Sequence, residues 1–269
     1  MFNPKNPPRI LFKYRHFDEL GYGLKSLDEI YFSPPSEFND PFDTGIPILY
    51  RSSGASSERI LEHMLKSNLE VNDPPWDEER IRSRHLELIG QTKDLQVAQT
   101  EDLAAIMELS QRTGVFSLTE KESNILMWSH YAANHTGFCI GYRTSPLYSF
   151  LRTQADVILP RIVYSPDCPL VNPYDPNISL DWYYAPFTHK FLDWDYESEW
   201  RLILHDGAKR IIPIPENTIE SVTLGLRISK ENEAVLIEKI RARKLRPNVF
   251  RIIRKFSSFE LAFAPVSIE

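Results

Sequence analysis

The fold of this chain is limited above all by the order of its short β-prone runs, which do not alternate regularly with helical segments. Two runs rich in β-branched and aromatic residues lie near the N-terminus, 9-RILFKYR-15 and 29-EIYFS-33, and the second ends at a Pro-Pro pair. Because strands and helices do not alternate regularly, the pattern predicts an α+β fold with a mixed or antiparallel sheet. Further strands are predicted over residues 115–118, 136–142, 157–165, 199–205, 210–214, 219–226, 249–256 and 259–265.

Apolar residues at helical spacing set residues 57–112 apart from these runs. One segment of this block also begins with a turn and acidic residues, which are helix-start signals. We therefore predict a single domain over residues 1–269 with a helical insertion at about 52–113. A later helix is predicted over residues 229–244, with Ser229 as its N-cap. The three segments of the block are 57-SERILEHMLKSNLE-70, 74-PPWDEERIRSRHLELIG-90 and 101-EDLAAIMELSQR-112.

The composition is that of a soluble globular protein and argues against several classes. Of the 269 residues, 42% are hydrophobic and 25% are charged, and the net charge of -6 argues against wholesale non-specific nucleic-acid binding. Cys139 and Cys168 form no CxxC pair, so neither a zinc framework nor a disulfide scaffold is expected. No run approaches the ~18–20 apolar residues of a membrane span, and the N-terminus has no signal-peptide core. We expect a reduced, cytoplasmic protein without membrane contact.

Two acids stand at alternate positions in 196-YESEWR-201, namely Glu197 and Glu199. In a strand, this spacing places both carboxylates on one face. One carboxylate can then stabilise a cationic transition state while the other accepts a proton. The alternative is an ordinary surface strand start at which Arg201 forms a salt bridge on the same face. Two tryptophans flank the segment, and they argue against a solvated surface.

Two histidines in 127-MWSHYAANHTGFCIGY-142, His130 and His135, have the chemistry of an acid, a base or a metal ligand. They lack the i, i+4 spacing of a helical zinc site and have no obvious third ligand, so we expect no metal. The alternative is a structural helix over MWSHYA that leads into a buried strand. No P-loop, dinucleotide-binding, nucleophile-elbow or HExxH motif is present, which removes those enzyme classes as first choices.

Three carboxylates, an amide and two phenylalanines lie within 37-EFNDPFD-43. Phe38 and Phe42 are four residues apart and are expected to anchor this loop in the core. Acidic and amide residues before a proline tend to cap backbone donors, which is predicted for Asn39 and Asp40. Asp43 is left to face a cleft. In one interpretation, the two phenylalanines only anchor the loop. In the alternative, the anchored loop also presents these polar side chains to a pocket.

Two basic groups are candidates for phosphate contacts. Lys13 and Arg15 alternate along the first strand and share one face; they either hold phosphate or are ordinary edge-strand charges. The stretch 239-KIRARKLRPNVFRIIRK-255 carries eight Lys and Arg residues. This stretch either contacts a nucleic-acid backbone or is a solvated helix face followed by an edge strand.

Several motifs together resemble a bacterial family, the domain of unknown function 2971 family. Its pattern has a KYR strand, an IYFSxPxxFNDPFD segment, an SLT or SLS tract, MWxHYA, GFCIGY and a late ExEWR. The resemblance spans most of the chain, and the family name assigns no activity. The chain shows these motifs as 13-KYR-15, 30-IYFSPPSEFNDPFD-43, 117-SLT-119, 127-MWSHYA-132, 137-GFCIGY-142 and 197-ESEWR-201.

A more distant resemblance, to ADP-ribosyltransferases, implies an activity. It lies in the order of a basic strand, a Y-F-S tract and a late E-x-E. In those enzymes a first-strand Arg or His holds NAD, and a Tyr or Ser on a second strand supports the nicotinamide end. A late Glu stabilises the oxocarbenium-like transition state as nicotinamide leaves. The resemblance implies that Arg15 takes the first role and Tyr31 or Ser33 the second. It gives Glu199 the third role, with Glu197 as the acid that activates the acceptor.

The same resemblance implies NAD as a cosubstrate and an unknown acceptor, either a protein or a nucleic acid. The enzyme would be an ADP-ribosyltransferase or an NAD glycohydrolase, with a role such as a toxin or an effector in bacterial phage defence. The tract 115-VFSLT-119, with Ser117, competes with Tyr31 and Ser33 for the second motif. We expect that motif to line one concave site together with Arg15, Asp40 and Glu199. The competing hypothesis is a non-catalytic nucleic-acid- or protein-binding module that uses the basic C-terminal stretch.

Overall fold

The computed structural model describes residues 6–18, 21–44, 49–50, 79, 83, 108–168, 170–171 and 184–268. Its strands are β1 (Ile10–Arg15), β2 (Glu29–Tyr31), β3 (Leu49–Tyr50), β4 (Gly114–Thr119), β5 (Phe138–Arg143), β6 (Val157–Ile158), β7 (Val163–Ser165), β8 (Leu170–Val171), β9 (His189–Phe191), β10 (Glu199–Leu204), β11 (Ile211–Pro213), β12 (Ile219–Leu224), β13 (Asn248–Arg254) and β14 (Leu261–Pro265). Its helices are α1 (Tyr22–Lys25), α2 (Ile125–Tyr131), α3 (Thr144–Gln154), α4 (Ala185–Thr188) and α5 (Lys230–Arg241), and 3-10 turns cover Pro35–Glu37, Leu192–Glu197 and Glu216–Thr218.

The chain divides into two compact units. The second unit comprises residues 39–110 and 165–191, and within it β3 and β8 pair in parallel. The predicted insertion at about 52–113 lies for the most part outside the described residues, so it stays a prediction. Its described end, residues 108–112, is helical. The first unit comprises residues 1–38, 111–164 and 192–269.

The first unit is built on an eight-stranded sheet with the order β14-β13-β12-β5-β1-β4-β10-β6. Neighbouring strands are antiparallel except β12 and β13, which are parallel. A parallel pair needs a crossover between its strands, and α5 lies in that connection. The predicted α+β class with a mixed, mostly antiparallel sheet is therefore confirmed.

One predicted strand, over residues 157–165, is divided in the structure into β6 and β7. Pro160 interrupts it because proline has no N–H to donate to a ladder. The interrupted stretch still lies alongside β10 and is hydrogen-bonded to it. The Pro160 carbonyl accepts from the Arg201 N–H at 3.0 Å, and the Ile162 N–H donates to the Glu199 carbonyl at 2.9 Å. This irregular edge holds the first residues of β10 in place.

Alternation along the strands divides the apolar side chains of the sheet into two clusters. In β1, Leu11 belongs to the larger cluster and Tyr14 to the smaller one, which α2 covers with Met127 and Trp128. Tyr14 and Trp128 meet edge to face with ring centroids 5.1 Å apart. The Tyr14 hydroxyl donates to the Lys121 carbonyl at 2.7 Å, so the polar end of this ring is also satisfied.

Helix α5 begins where the sequence predicts it. The Ser229 hydroxyl accepts a hydrogen bond from the Asn232 N–H at 3.1 Å, which confirms Ser229 as the N-cap. The helix buries Leu236 and Ile240, which are four residues apart and therefore lie on one face.

The loop at residues 37–43 differs from the prediction in two respects. Asp40 does cap a backbone donor, since its Oδ1 accepts from the Phe42 N–H at 2.9 Å. Phe42, however, is 70% exposed, so the expectation that it anchors the loop in the core is wrong. Asp43 does not face an open cleft: it is buried and lies 3.5 Å from the buried Lys190 ammonium. A buried ammonium needs a counter-charge, and Asp43 supplies it.

Candidate active site at a split in the sheet

β1 and β4 are neighbours in the sheet but separate after a single pair. Among the described residues, they pair where Phe12 faces Thr119. Farther along β4 its partner is Ser33 instead, which forms an isolated bridge there. Because β4 changes partner, β1 must turn away from it. We call the region between residues 13–15 of β1 and 116–118 of β4 the β1–β4 split.

Glu199 begins β10, and its carboxylate is bound by Arg201. The Arg201 Nε donates to Oε1 at 2.8 Å and Nη2 donates to Oε2 at 3.0 Å. Residues two apart in a strand share a face, which accounts for the pair. The predicted ion pair is thus present, but it is buried, with side chains 5% and 1% exposed, and is not part of a solvated surface. The Arg201 guanidinium also lies 5.5 Å from the centroid of the Phe38 ring.

Glu197 lies outside the strand, at the end of a 3-10 turn. Ser198, with a φ of 44°, stands between the two acids, so the expected placement of both carboxylates by one strand does not apply. The buried Glu197 carboxylate accepts a hydrogen bond of 2.5 Å from the Tyr131 hydroxyl, and its backbone oxygen accepts from the Thr119 hydroxyl. Burial and the nearby Glu197 charge raise the pKa of Tyr131, which keeps this hydroxyl protonated as a donor.

Two cations of β1 meet one aromatic ring at the split. The Lys13 ammonium lies 4.9 Å and the Arg15 guanidinium carbon 5.6 Å from the centroid of Phe116 in β4. This shared contact confirms that Lys13 and Arg15 project from the same face of β1. A ring quadrupole attracts a cation over its face but does not neutralise its charge.

The two cations differ in their other neighbours. The Arg15 Nε donates to the Ser26 hydroxyl at 2.7 Å, and burial lowers the pKa of Arg15, opposed by Tyr142 and Asp18. Burial lowers the pKa of Lys13 to about 7; the charge of Arg15 adds to this, and those of Glu199 and Glu197 oppose it. The structure therefore brings Lys13 into the electrostatic field of the two glutamates.

The candidates for the second motif are placed differently. Tyr31 lies on β2, which pairs with β11 outside the main sheet, and its hydroxyl donates to Glu37 at 3.1 Å. Ser33 contacts β4 through its backbone. Ser117 lies within β4 directly opposite Arg201. Of the three candidates, Ser117 lies beside the Glu199–Arg201 pair. Asp40 belongs to the second unit, where it caps its own loop.

Two tyrosines at the site were missed by sequence reasoning. Tyr131 carries the donor to Glu197, and Tyr164 accepts from the Glu199 N–H at 2.8 Å. Burial raises the pKa of Tyr164 as well. A signal existed for Tyr131, because it lies three residues after Trp128 on one helix face. Nothing near Tyr164 in the sequence pointed to Glu199, which is 35 residues away.

The two histidines are not joined to further ligands. In the parts of the chain that the structure describes, no group of three or more His, Cys, Asp or Glu side chains could hold a metal ion. The Nε2 of His135 lies 3.2 Å from the Ser129 hydroxyl, and the ring stacks on Trp128. Burial lowers the pKa of His135, and the charge of Arg227 lowers it further. The MWSHYA segment is helical, as the structural alternative for it predicted.

The basic C-terminal stretch is partly neutralised. Lys239 and Arg243 both pair with Asp28, at 2.5 Å and 2.7 Å. Two further cations of the stretch pair with Glu233 and Glu260. Half of its eight positive charges therefore already have carboxylate partners, and the binding-module hypothesis stays untested. The remaining exposed members are Arg241, Lys244, Arg246 and Arg254.

Comparison with known proteins extends this description. Residues 127–202 match the model of a family described as "Protein of unknown function (DUF2971)". The matched segment runs from α2 into β10 and contains both glutamates and Arg201. No curated protein and no solved structure matches the chain significantly. None of the described helices combines the length and apolar character needed to cross a membrane.

Proposed function

We propose that this protein cleaves NAD at the bond between nicotinamide and ribose, as an ADP-ribosyltransferase or NAD glycohydrolase. The observation that carries the proposal is the pair of buried carboxylates, Glu197 and Glu199, held by Tyr131 and Arg201 near the β1–β4 split. An effector role in bacterial defence and an acceptor that is a protein or a nucleic acid belong to the same proposal.

The reaction needs a fixed negative charge. When the bond from ribose C1 to the nicotinamide nitrogen breaks, both electrons leave with nicotinamide, and positive charge develops on the ribose. A preorganised carboxylate stabilises that charge because it needs no reorganisation during the step. A buried carboxylate is kept ionised by a paired cation, and Arg201 is that cation for Glu199 in the ligand-free protein.

The second step needs a base. Water or the hydroxyl, amine or amide of an acceptor attacks ribose C1 and must lose a proton, which Glu197 takes in this proposal. The Tyr131 hydroxyl bound to Glu197 orients the carboxylate. Transfer to water gives ADP-ribose, and transfer to an acceptor gives its ADP-ribosyl derivative.

The test is nicotinamide release from NAD, measured by chromatography with and without cell extract as a source of acceptor. Glu199→Gln keeps the shape of the side chain but removes its charge, so release should fall roughly a hundred-fold or more. Glu197→Gln should lower transfer to acceptors more than it lowers NAD binding. Glu260→Gln, at an exposed carboxylate paired with Lys255, is the matched control and should leave the rate unchanged.

The folding of each variant is measured alongside by circular dichroism, because Glu199→Gln removes the buried ion pair with Arg201. The double variant Glu199→Gln/Arg201→Gln removes both buried charges, so it should fold and still be inactive. The proposal is wrong if the wild type neither binds NAD in calorimetry nor releases nicotinamide in the presence of extract. An active, folded double variant would equally remove Glu199 from the chemistry.

A further inference from the structure

Lys13 differs in its partners from Arg15 and Arg201, the cations near it in the sheet. Arg15 donates to Ser26, and Arg201 is bound by Glu199. Among the described residues, the Lys13 ammonium makes neither a hydrogen bond nor an ion pair, and its neighbour is the face of the Phe116 ring. A half-buried ammonium without an anion is unusual, because transfer of an unpaired charge out of water is costly.

The charged groups around Lys13 leave it without a carboxylate in contact. Its charged neighbours are Arg15 on its own strand and, on and next to β10, Glu199, Glu197 and Arg201. Arg201 binds Glu199, and the charge of Asp18 acts on Arg15. Among the described residues, no carboxylate forms such a contact with the Lys13 ammonium. An anionic ligand at the split would supply one.

We propose that the Lys13 ammonium receives the phosphate-bearing part of the ligand at the β1–β4 split, and that Arg15 serves instead to position β1 through Ser26. This inference rests on the proposed function for the identity of the ligand, a dinucleotide whose pyrophosphate is the anion. It changes the assignment that the sequence suggested, in which Arg15 is the phosphate contact.

A consequence is that the affinity for the anionic ligand depends on pH. The pKa of Lys13 is about 7 in the ligand-free protein, so its positive charge is largely present below neutral pH and is lost above it. An anion binds the protonated form, so affinity should fall as the pH rises through 7. Arginine at this position would keep its charge throughout and should remove the dependence.

The experiment is calorimetric titration of the full chain with ADP-ribose, whose pyrophosphate keeps the same charge across neutral pH. Wild-type affinity should be roughly ten-fold or more higher at about pH 6 than at about pH 8.5. Lys13→Met should lose roughly ten-fold or more at the lower pH, whereas Lys13→Arg should bind equally well at both. Arg15→Met should lower the affinity less than Lys13→Met does. Lys244→Met, which removes an exposed lysine, is the matched control.

The outcomes separate this inference from the proposed function. If Lys13→Met binds ADP-ribose as the wild type does, or if wild-type affinity is independent of pH, the assignment of Lys13 is wrong even when nicotinamide is released. If ADP-ribose binds through Lys13 but no variant or wild type cleaves NAD, the inference stands and the proposed reaction is wrong. Failure of ADP-ribose to bind the folded wild type overturns the inference outright.

Discussion

Arg201 and Lys13 show two environments in which this sheet holds a cation. Arg201 is matched by a carboxylate two residues earlier, with both guanidinium contacts made. Lys13 is matched by an aromatic ring, which leaves its charge uncompensated. The consequences for folding stability therefore differ. The stability of the Arg201–Glu199 arrangement depends on the presence of both partners, and that of the Lys13 arrangement depends on whether the lysine is protonated.

Removal of one partner of the buried pair should be far more damaging than removal of both. Arg201→Met removes the guanidinium that binds the buried Glu199 carboxylate and should lower the free energy of unfolding by about 3–5 kcal/mol. The double variant Arg201→Met/Glu199→Leu should lie within about 1 kcal/mol of the wild type or be more stable. Urea denaturation measures both, and a double variant as unstable as the single one would show that the pair itself stabilises the fold.

Lys13→Met should change how stability depends on pH. The pKa of Lys13 falls from 10.5 to about 7 on folding, so between these values the unfolded chain binds more protons than the folded one. The contribution of Lys13 to stability is therefore fully present above the unfolded pKa and is lost as the pH falls toward 7. Lys13→Met lacks this pH-dependent contribution. Its advantage in melting temperature over the wild type should be largest near pH 7 and should shrink toward pH 10.

At the scale of elements, α2 is linked to the turn that carries Glu197 through its N-cap residue, Asn124. The Asn124 Oδ1 accepts from the N–H groups of Leu126 and Met127, at 2.9 and 3.1 Å, and caps the helix. Its Nδ2 donates to the Tyr196 carbonyl at 3.1 Å, in the turn that carries Glu197. One side chain thus fixes both the helix that supplies Tyr131 and the turn that supplies its acceptor.

Substitutions of Asn124 should separate these two functions. Asn124→Ala removes the cap and the donor and should cost about 1–2 kcal/mol of folding free energy. Asn124→Asp keeps the capping oxygen but loses the donor to Tyr196, so most of the stability should remain while nicotinamide release falls. Thermal melts and the NAD assay give the two readings. Equal stability losses in both variants would contradict the cap as the main contribution.

Local patterns predicted the elements of the first unit well, and long-range contacts were not predictable. The alternating runs give β1, β4, β5 and β10, and Ser229 marks the start of α5, because period and capping are properties of neighbouring residues. The change of partner along β4, the contact of Tyr164 with Glu199 and the exposure of Phe42 depend on residues far apart in the chain. The alternation of Glu197 and Glu199 also led to a wrong prediction, that one strand carries both carboxylates. Ser198 between them has a left-handed backbone conformation, and β10 begins only after it.

At the scale of the whole molecule, the position of β1 determines how the first unit is held together. The strand lies between β5 and β4 near the middle of the sheet, whereas β14 closes one end. Leu11 in β1 is fully buried, and Leu261 in β14 is only partly buried. The same substitution, leucine to alanine, at the two positions should therefore show how much more a central strand of the sheet contributes to stability than its edge strand.

Leu11→Ala should lower the free energy of unfolding by about 2–5 kcal/mol, the usual cost of truncating a fully buried leucine. Leu261→Ala should cost less, by at least about 1 kcal/mol, because part of its side chain already contacts water. Chemical denaturation of both variants measures the difference. Comparable losses would mean that the edge strand is as tightly packed as the centre.

The place of β1 in the sheet also bears on how the protein is made. Its main partner, β5, ends at Arg143, so 128 residues must be translated after Arg15 before that ladder can be completed. At about 5–20 residues per second, the nascent strand remains without its partner for roughly 6–25 s. β1 is thus paired late, and its apolar residues are an expected binding site for chaperones during synthesis.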